Sequence, residues 1–273
     1  MKPPAAESGC VSTQKILRWR NGRYGEEQDS LAVEMPVALE FNGVSHAVML
    51  ATPCDLESFA LGFALSEGIV ASRSEFLEAE VDESALGITV HCRITARAFL
   101  QLKQRRRNLS GRTGCGLCGL ESLAQVMREL SAVPGGKPFA IAALYHALQQ
   151  LAALQPISCL TGATHAAAWS TPDGMLQQVC EDAGRHNALD KLIGKLAQRQ
   201  ADFAGGFLLI TSRASVEMVQ KAATVGIASL VAISAPTALA VTTAQMLNMT
   251  LLGFARGNEF VAYAHGNRIV GLN

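Results

Sequence analysis

Between Phe207 and Phe254 the chain alternates short apolar runs with helical patterns. Phe207–Thr211, Leu230–Ser234 and Thr250–Phe254 read as strands, with helices at Ser215–Val225 and Thr237–Leu247 between them. Strands joined by crossover helices lie parallel, and parallel strands are buried on both faces. The runs are accordingly apolar throughout rather than alternating. From Ala222 to Ala255 there is no charged residue, but Ser229, Ser234, Pro236, Thr237, Thr242, Thr243, Gln245, Asn248 and Thr250 interrupt the stretch. A membrane span needs ~20 predominantly apolar residues in a row. The expectation is a buried strand–helix–strand unit and no membrane association.

Upstream, Val33–Phe41 and Val44–Ala51 flank Asn42-Gly43, a strong hairpin signal. Asp55–Glu67 has Leu56, Phe59, Ala60 and Phe63 at helical spacing, and Ile88–Ile94 alternates as a strand. Arg97–Leu109 reads as a basic amphipathic helix, Leu120–Leu130 as another helix, and Ser131–Pro138 as a linker. Beyond it, Phe139–Leu154 is helical. Ile157–Trp169 and Met175–Glu181 read as strands around the turn Pro172-Asp173-Gly174, and Arg185–Arg199 as a helix. The chain is thus expected to be α/β. It divides into a flexible end over residues 1–30, a smaller N-terminal α+β part over 31–130, and a larger α/β domain over 139–273 with a mostly parallel sheet.

The 273 residues are 49% hydrophobic and 17% charged, enough for a sizeable core. Zero formal net charge argues against a general nucleic-acid binder. Seven cysteines, an odd number in a long chain, do not read as a disulfide framework, and Met1–Ser12 carries no apolar secretory segment. Both features favour a reducing cytoplasm.

Ligands of open α/β sheets bind at the carboxyl ends of the strands. The loops expected there are Thr211–Ser215, Ser234–Thr237 and Gly253–Asn258, which offer Arg213, Ser215, Ser234, Thr237 and Arg256. Hydroxyls, guanidinium groups and helix N-termini are what a phosphate wants. Taken singly, each hydroxyl reads better as a helix cap. Three such loops on one edge shift the reading toward an anionic ligand. Two further clusters, Thr164–Trp169 and Glu181–Lys191, contribute His165, Arg185 and His186 as candidates for ligand contact. Glu181, Asp182 and Lys191 read as a solvated helix start, and His186 and Asp190, four apart on a helix, can meet.

The segment GRTGCGLCG places Cys115 and Cys118 among four glycines, after Arg97, Lys103, Arg105, Arg106, Arg107 and Arg112 with no intervening acid. Three chemistries fit a CxxC pair. As half a zinc site it lacks a second pair with ligand spacing, and the zinc-deaminase signature fails, since Gly114 precedes Cys115 and Ala166-Ala167 follow His165. As a dithiol redox pair it is not at a strand-to-helix entry. As a sulfur carrier it has the flanking cations that lower a thiol pKa and the glycines that give reach. The spacing alone selects none of the three. Cys92, Cys159 and Cys180 sit in apolar strand patterns and read as small buried hydrophobes, Cys10 as part of a frayed terminus, and Cys54 as preceding a helix.

GRTGCGLCG, THAAAW, EDAGRHNALDK, SRASVEMVQKA, SAPTALAV and TLLGFARG occur in that order. Together they closely resemble the formate dehydrogenase accessory sulfurtransferase family, from about Val33 to the C-terminal region. The resemblance implies a cytoplasmic, homodimeric sulfur carrier whose larger domain is cytidine-deaminase-like. Such a carrier takes sulfur from a cysteine desulfurase as a persulfide. It passes the sulfur to the Mo-bis(molybdopterin guanine dinucleotide) cofactor before that cofactor enters formate dehydrogenase. It further implies Cys115 as the persulfide cysteine, Cys118 as its partner in transfer or release, and a cofactor-binding segment at Phe254, Ala255, Arg256, Gly257, Asn258 and Glu259, for which GDP is a partial mimic. A cofactor-binding chaperone without sulfur chemistry and a zinc-dependent deaminase-like hydrolase are the alternative readings.

Overall fold

The computed structural model describes residues 9–110 and 130–272, the side chains of 106–110 excepted. Cys115 and Cys118, with the helix expected at Leu120–Leu130 (Leu130 itself apart), lie outside the described residues.

A long hairpin comes first: β1 (Val11–Arg20) pairs antiparallel with β2 (Arg23–Ala32). The sequence reading expects a flexible end here. Instead, this segment forms a regular ladder whose base is fixed by a Cys10–Cys54 disulfide and by a hydrogen bond from the Val33 amide to the Cys10 carbonyl. A four-stranded sheet follows, in the order β4-β3-β6-β5, from β3 (Met35–Phe41), β4 (Val44–Ala51), β5 (Phe76–Ser84) and β6 (Gly87–Ile94). The Asn42-Gly43 turn joins β3 to β4 as expected. Helix α1 (Leu56–Ser66) leaves this sheet, and α2 (Ala96–Ser110) follows β6.

The second half is built on a six-stranded sheet in the order β13-β12-β11-β10-β8-β9. Its strands are β8 (His165–Ser170), β9 (Leu176–Asp182), β10 (Phe207–Ile210), β11 (Ser229–Ala232), β12 (Thr250–Arg256) and β13 (Glu259–Ala264). Within this sheet the β10–β11 and β11–β12 pairs are parallel, whereas β8, β9 and β13 each join through an antiparallel pair. The expectation of a mostly parallel sheet is corrected to a parallel centre with antiparallel flanks. β8 and β9 are joined by a short turn, which leaves no room for a crossover.

A small ladder of β7 (Phe139–Ala140) and β14 (Ile269–Val270) precedes α3 (Ile141–Ala153). The strand expected from Ile157 begins only at His165. Pro156 opens a short helix, α4 (Pro156–Thr161), because proline presets the first helical turn. The Glu181 carboxylate accepts the Ile157 and Ser158 amides at 2.9 and 2.7 Å and holds that turn. Cys159 consequently lies exposed on α4, whereas Cys92 and Cys180 are buried as expected.

Alternate residues of the parallel strands point to two apolar layers. Leu208, Ile210, Leu230 and Leu251 face a core shared with α1, with the four-stranded sheet and with α5 (Arg185–Gln198) and α6 (Val216–Thr224). Phe207, Leu209, Val231 and Leu252 face α3. Helix α7 (Ala238–Met246) links β11 to β12. Among the described residues no helix is long and apolar enough to cross a membrane.

The two sheets are locked together where α1 crosses α5. A Cβ at Gly62 would lie 1.7 Å from the Asp190 carbonyl oxygen, and one at Gly194 1.9 Å from that of Ser58. Only glycine permits such an approach. Beside the crossing, Lys221 of α6 reaches the Asp190 carboxylate at 2.8 Å and Glu67 at 2.8 Å, and the Ser66 hydroxyl donates to Asp190 at 2.6 Å. Asp190 therefore pairs with Lys221 rather than with His186, four residues before it.

Candidate functional site

Strand direction gathers the candidate residues on one rim. β10, β11 and β12 deliver their carboxyl ends there, and antiparallel β8 delivers its start. Ile210 pairs with Ala167, and the Thr211 amide donates to the Ala166 carbonyl at 3.0 Å. His165 faces Asp182 across the β8–β9 ladder, which brings the Gly184 turn and the start of α5 to the same rim. The loops after β10 and β11 touch directly: Ala214 bridges Pro236, and the Thr237 amide donates to the Ala214 carbonyl at 3.0 Å. The Phe254 amide donates to the Ser234 carbonyl at 3.2 Å, which adds β12 to the row. His165, Arg185, His186, Arg213, Ser215, Ser234, Thr237 and Phe254 thus follow one sheet edge.

Near the start of α5 a single carboxylate organises three groups. Glu217 Oε2 lies 3.3 Å from His186 Nε2, accepts the Ser215 hydroxyl at 2.9 Å, and sits 3.9 Å from Arg185. Burial would raise the Glu217 carboxyl, but the Ser215 hydrogen bond and His186 hold it below its ordinary value. Burial lowers the His165 pKa, and Arg185 lowers it further. Burial likewise lowers His186, with Arg185 adding to it and Glu217 opposing. Both imidazoles are neutral at neutral pH, so the fixed cations of the rim are guanidinium groups. Arg213 is exposed, and the Arg185 Nε is buried without a hydrogen-bond partner.

The cap reading holds for Thr237, whose hydroxyl accepts the Ala240 amide at 3.3 Å. It fails for Ser215, whose hydroxyl turns to Glu217 and leaves the first amides of α6 uncapped by its side chain. An uncapped helix start is suited to an oxyanion.

At the outer end of the rim, Phe254 holds a left-handed backbone (φ 52°), uncommon for a non-glycine residue, within an irregular stretch of the β12–β13 ladder. The residue is 38% exposed, and the Arg256 guanidinium lies 5.8 Å from the ring centroid. Phe254 and Asn258 border a cavity of about 460 Å3 with Tyr145 and Phe260, and the Tyr145 hydroxyl donates to the Asn258 carbonyl at 2.7 Å. Gly257 and Asn258 form the exposed turn into Glu259. Ala255 departs from the expectation, since its side chain is fully buried in the apolar layer beneath α3.

The rim is held from below. Glu181, Asp182 and Lys191, read from sequence as solvated, are buried. Lys191 Nζ reaches Asp182 at 2.7 Å and the Thr52 carbonyl at 2.8 Å. Asp182 in turn accepts the amides of Thr52 and Gly184 and the side chain of Asn187. The turn carrying Arg185 and His186 is thereby pinned to the chain leaving β4. Sequence reasoning missed Glu217, Asn187 and Thr52. The position of Glu217, two residues after Ser215 at a helix start, is the one local signal that points to it.

A profile of the FdhD/NarQ family matches residues 32–270. The chain belongs to the FdhD/NarQ family. It is 52% identical to a sulfur carrier protein FdhD from Cupriavidus necator over 97% of this chain and 92% of that one. It is 50% identical to the protein of that name from Variovorax paradoxus over 100% and 96% of the two chains. The corresponding protein from Bordetella petrii is 46% identical over 98% and 96%. The crystal structure of a formate dehydrogenase accessory protein from Desulfotalea psychrophila superposes with a TM-score of 0.74 at 21% identity, covering 96% of this chain and all of that one. The mixed α/β fold described above is therefore shared with that protein.

Proposed function

We propose that the protein is a sulfur carrier in formate dehydrogenase maturation, loading sulfur on Cys115 and holding the guanine dinucleotide portion of the molybdenum (or tungsten) cofactor along the sheet rim. The observation that carries the reading is near-full-length similarity, 46–52% identical, to proteins named sulfur carriers, in a chain whose CxxC follows a run of arginines. Thiolate chemistry then specifies the loading step. The Cys115 thiolate attacks the terminal sulfur of a cysteine desulfurase persulfide; the donor S–S bond breaks, and the donor cysteine leaves as thiolate. No electrons are exchanged with an outside agent. If Cys118 then attacks the Cys115 sulfur, the terminal sulfur departs at the level of sulfide and a Cys115–Cys118 disulfide remains, which a dithiol reductant reopens.

Phosphate chemistry supports the second part. Arg213, Arg185 and the uncapped start of α6 offer charge-assisted and backbone donors, and Phe254 with Arg256 offers a flat surface for a base. Intact mass after incubation with a desulfurase and cysteine, beside calorimetry with GDP, tests both parts. Expected are a DTT-reversible gain of sulfur that is lost in Cys115→Ala, and GDP binding weakened by ~1.5–3 kcal/mol in Arg213→Ala with loading intact. GDP binding without any sulfur gain would support a cofactor chaperone. Tightly bound zinc, lost in Cys115→Ala, would support a metal site.

A further inference from the structure

Ser215 and Glu217 stand where a helix start has ordinary uses for them. A serine just before a helix accepts a first-turn amide, and an acid in the first turn favours the positive end of the helix dipole while its head stays in water. At α6 both uses are diverted. The Ser215 hydroxyl donates to Glu217 Oε2 at 2.9 Å and does not cap the helix. The Glu217 carboxylate turns across to the start of α5, where the same oxygen lies 3.3 Å from His186 Nε2 and 3.9 Å from Arg185 Nη2. A carboxylate only accepts, so His186 donates through Nε2. One ionised oxygen thus faces a hydroxyl, an imidazole and a guanidinium brought together by two helix starts, which is the donor set of an oxyanion seat.

The carboxylate does not saturate that seat. Arg185 meets it only at the outer limit of an ion pair, and the Arg185 Nε is buried with no hydrogen-bond partner. A guanidinium presents five N–H donors in a fork that matches the paired oxygens of a phosphate. The exposures differ in the same sense. The Glu217 side chain is 50% exposed, whereas those of Arg185 and His186 are 33% and 28% exposed. Glu217 can therefore return to water while the donors stay in place, and leaving a half-exposed ion pair costs little.

Building on the placement of the cofactor's phosphates along the rim, we propose that Glu217 is an internal stand-in for phosphate: its carboxylate fills the Arg185–His186–Ser215 seat in the free protein and moves into solvent when a phosphate oxygen takes its place. One anion replaces another, and no covalent bond is made or broken. The Ser215 hydroxyl, His186 Nε2 and the Arg185 guanidinium pass from the carboxylate to the phosphate. The consequence is selectivity. The seat opens only for a ligand with enough negative charge to displace the carboxylate, so it favours a nucleoside diphosphate over the bare nucleoside. Every phosphate ligand also binds more weakly than the open seat alone would allow, by the fraction of molecules in which Glu217 has moved out.

Calorimetry with GDP and with guanosine, on the full-length wild type and on Glu217→Gln, tests this. Glutamine keeps the size of the side chain and an acceptor oxygen for Ser215, so the seat stays formed while its competing charge is removed. GDP should bind the variant about 5-fold tighter, the scale of one exposed ion pair given up. Guanosine, which brings no phosphate to the seat, should show no gain. A GDP affinity that is unchanged or lower in Glu217→Gln, or a gain of equal size for guanosine, overturns the stand-in role and leaves the rim as the cofactor site. Absence of GDP binding in both proteins overturns the rim site and the stand-in role together.

Discussion

Replacing Lys221 by methionine removes the ammonium from a carboxylate that has no access to water. Asp190 is fully buried, and Lys221 reaches both its oxygens at 2.9 and 2.8 Å. What remains to the carboxylate is chiefly the Ser66 hydroxyl at 2.6 Å. Breaking a buried pair from one side costs roughly 3–5 kcal/mol at neutral pH. At about 2–4 °C per kcal/mol this lowers Tm by roughly 6–20 °C. The pH dependence has a definite sign. Burial raises the Asp190 carboxyl above its ordinary value even with Lys221 present. An acid whose folded pKa is raised stabilises the fold fully below its unfolded pKa, and that contribution is lost as pH rises through the folded value. Without the ammonium the folded value rises further, so the deficit of the variant shrinks as pH falls from 8 toward 5. Adding Asp190→Asn recovers much of the loss, because neither partner is then a stranded charge. Urea unfolding of the wild type, both single variants and the double variant at several pH values gives the comparison. A loss below about 1 kcal/mol, the worth of an exposed pair, or a gap indifferent to pH would refute the reasoning.

Three other outcomes follow from the geometry. Gly62→Ala, which in an open helix would stabilise by ~1 kcal/mol, should instead destabilise by about 1–3 kcal/mol, because its Cβ would meet the Asp190 carbonyl; a gain in denaturant resistance refutes the close crossing. Reducing Cys10–Cys54, or replacing Cys10 by serine, releases a cross-link between residues 44 apart, worth about 4 kcal/mol on chain-entropy grounds; Tm should fall under DTT in the wild type and be DTT-independent in the variant. His165 and His186 titrate low, so a phosphate beside them raises their pKa values and GDP binding takes up protons near pH 6.5; equal calorimetric enthalpies in buffers of different ionisation heat would place the phosphate elsewhere.

Much of the rim is legible in the sequence because it depends on strand order. Once Phe207–Thr211, Leu230–Ser234 and Thr250–Phe254 are read as parallel strands, Arg213, Ser215, Ser234, Thr237 and Phe254 fall on one edge without further information. His165 joins them through a pairing that periodicity does not carry, since β8 runs antiparallel to β10. Other features are hidden for physical reasons. β5 is half acidic, so its strand pattern is masked by an edge that faces water. Pro156 and the distant Glu181 carboxylate together convert the start of an apolar run into α4. Asp182 and Lys191 look solvated because nothing local reveals that Thr52, 130 residues before Asp182, will bond to both of them in the interior.

The crossing of α1 and α5 also has a consequence in time. Ten of the eleven residues of α1 are buried, yet Ser66 waits for its partner Asp190, 124 residues later. At ~5–20 residues per second of synthesis, the helix spends roughly 6–25 seconds outside the ribosome before α5 exists. During that interval Phe59, Leu61 and Phe63 have only the first sheet to shelter against. The N-terminal half is therefore a nascent chain with an open apolar helix, a natural client for a holdase, and a chain cut after the first sheet should aggregate rather than fold.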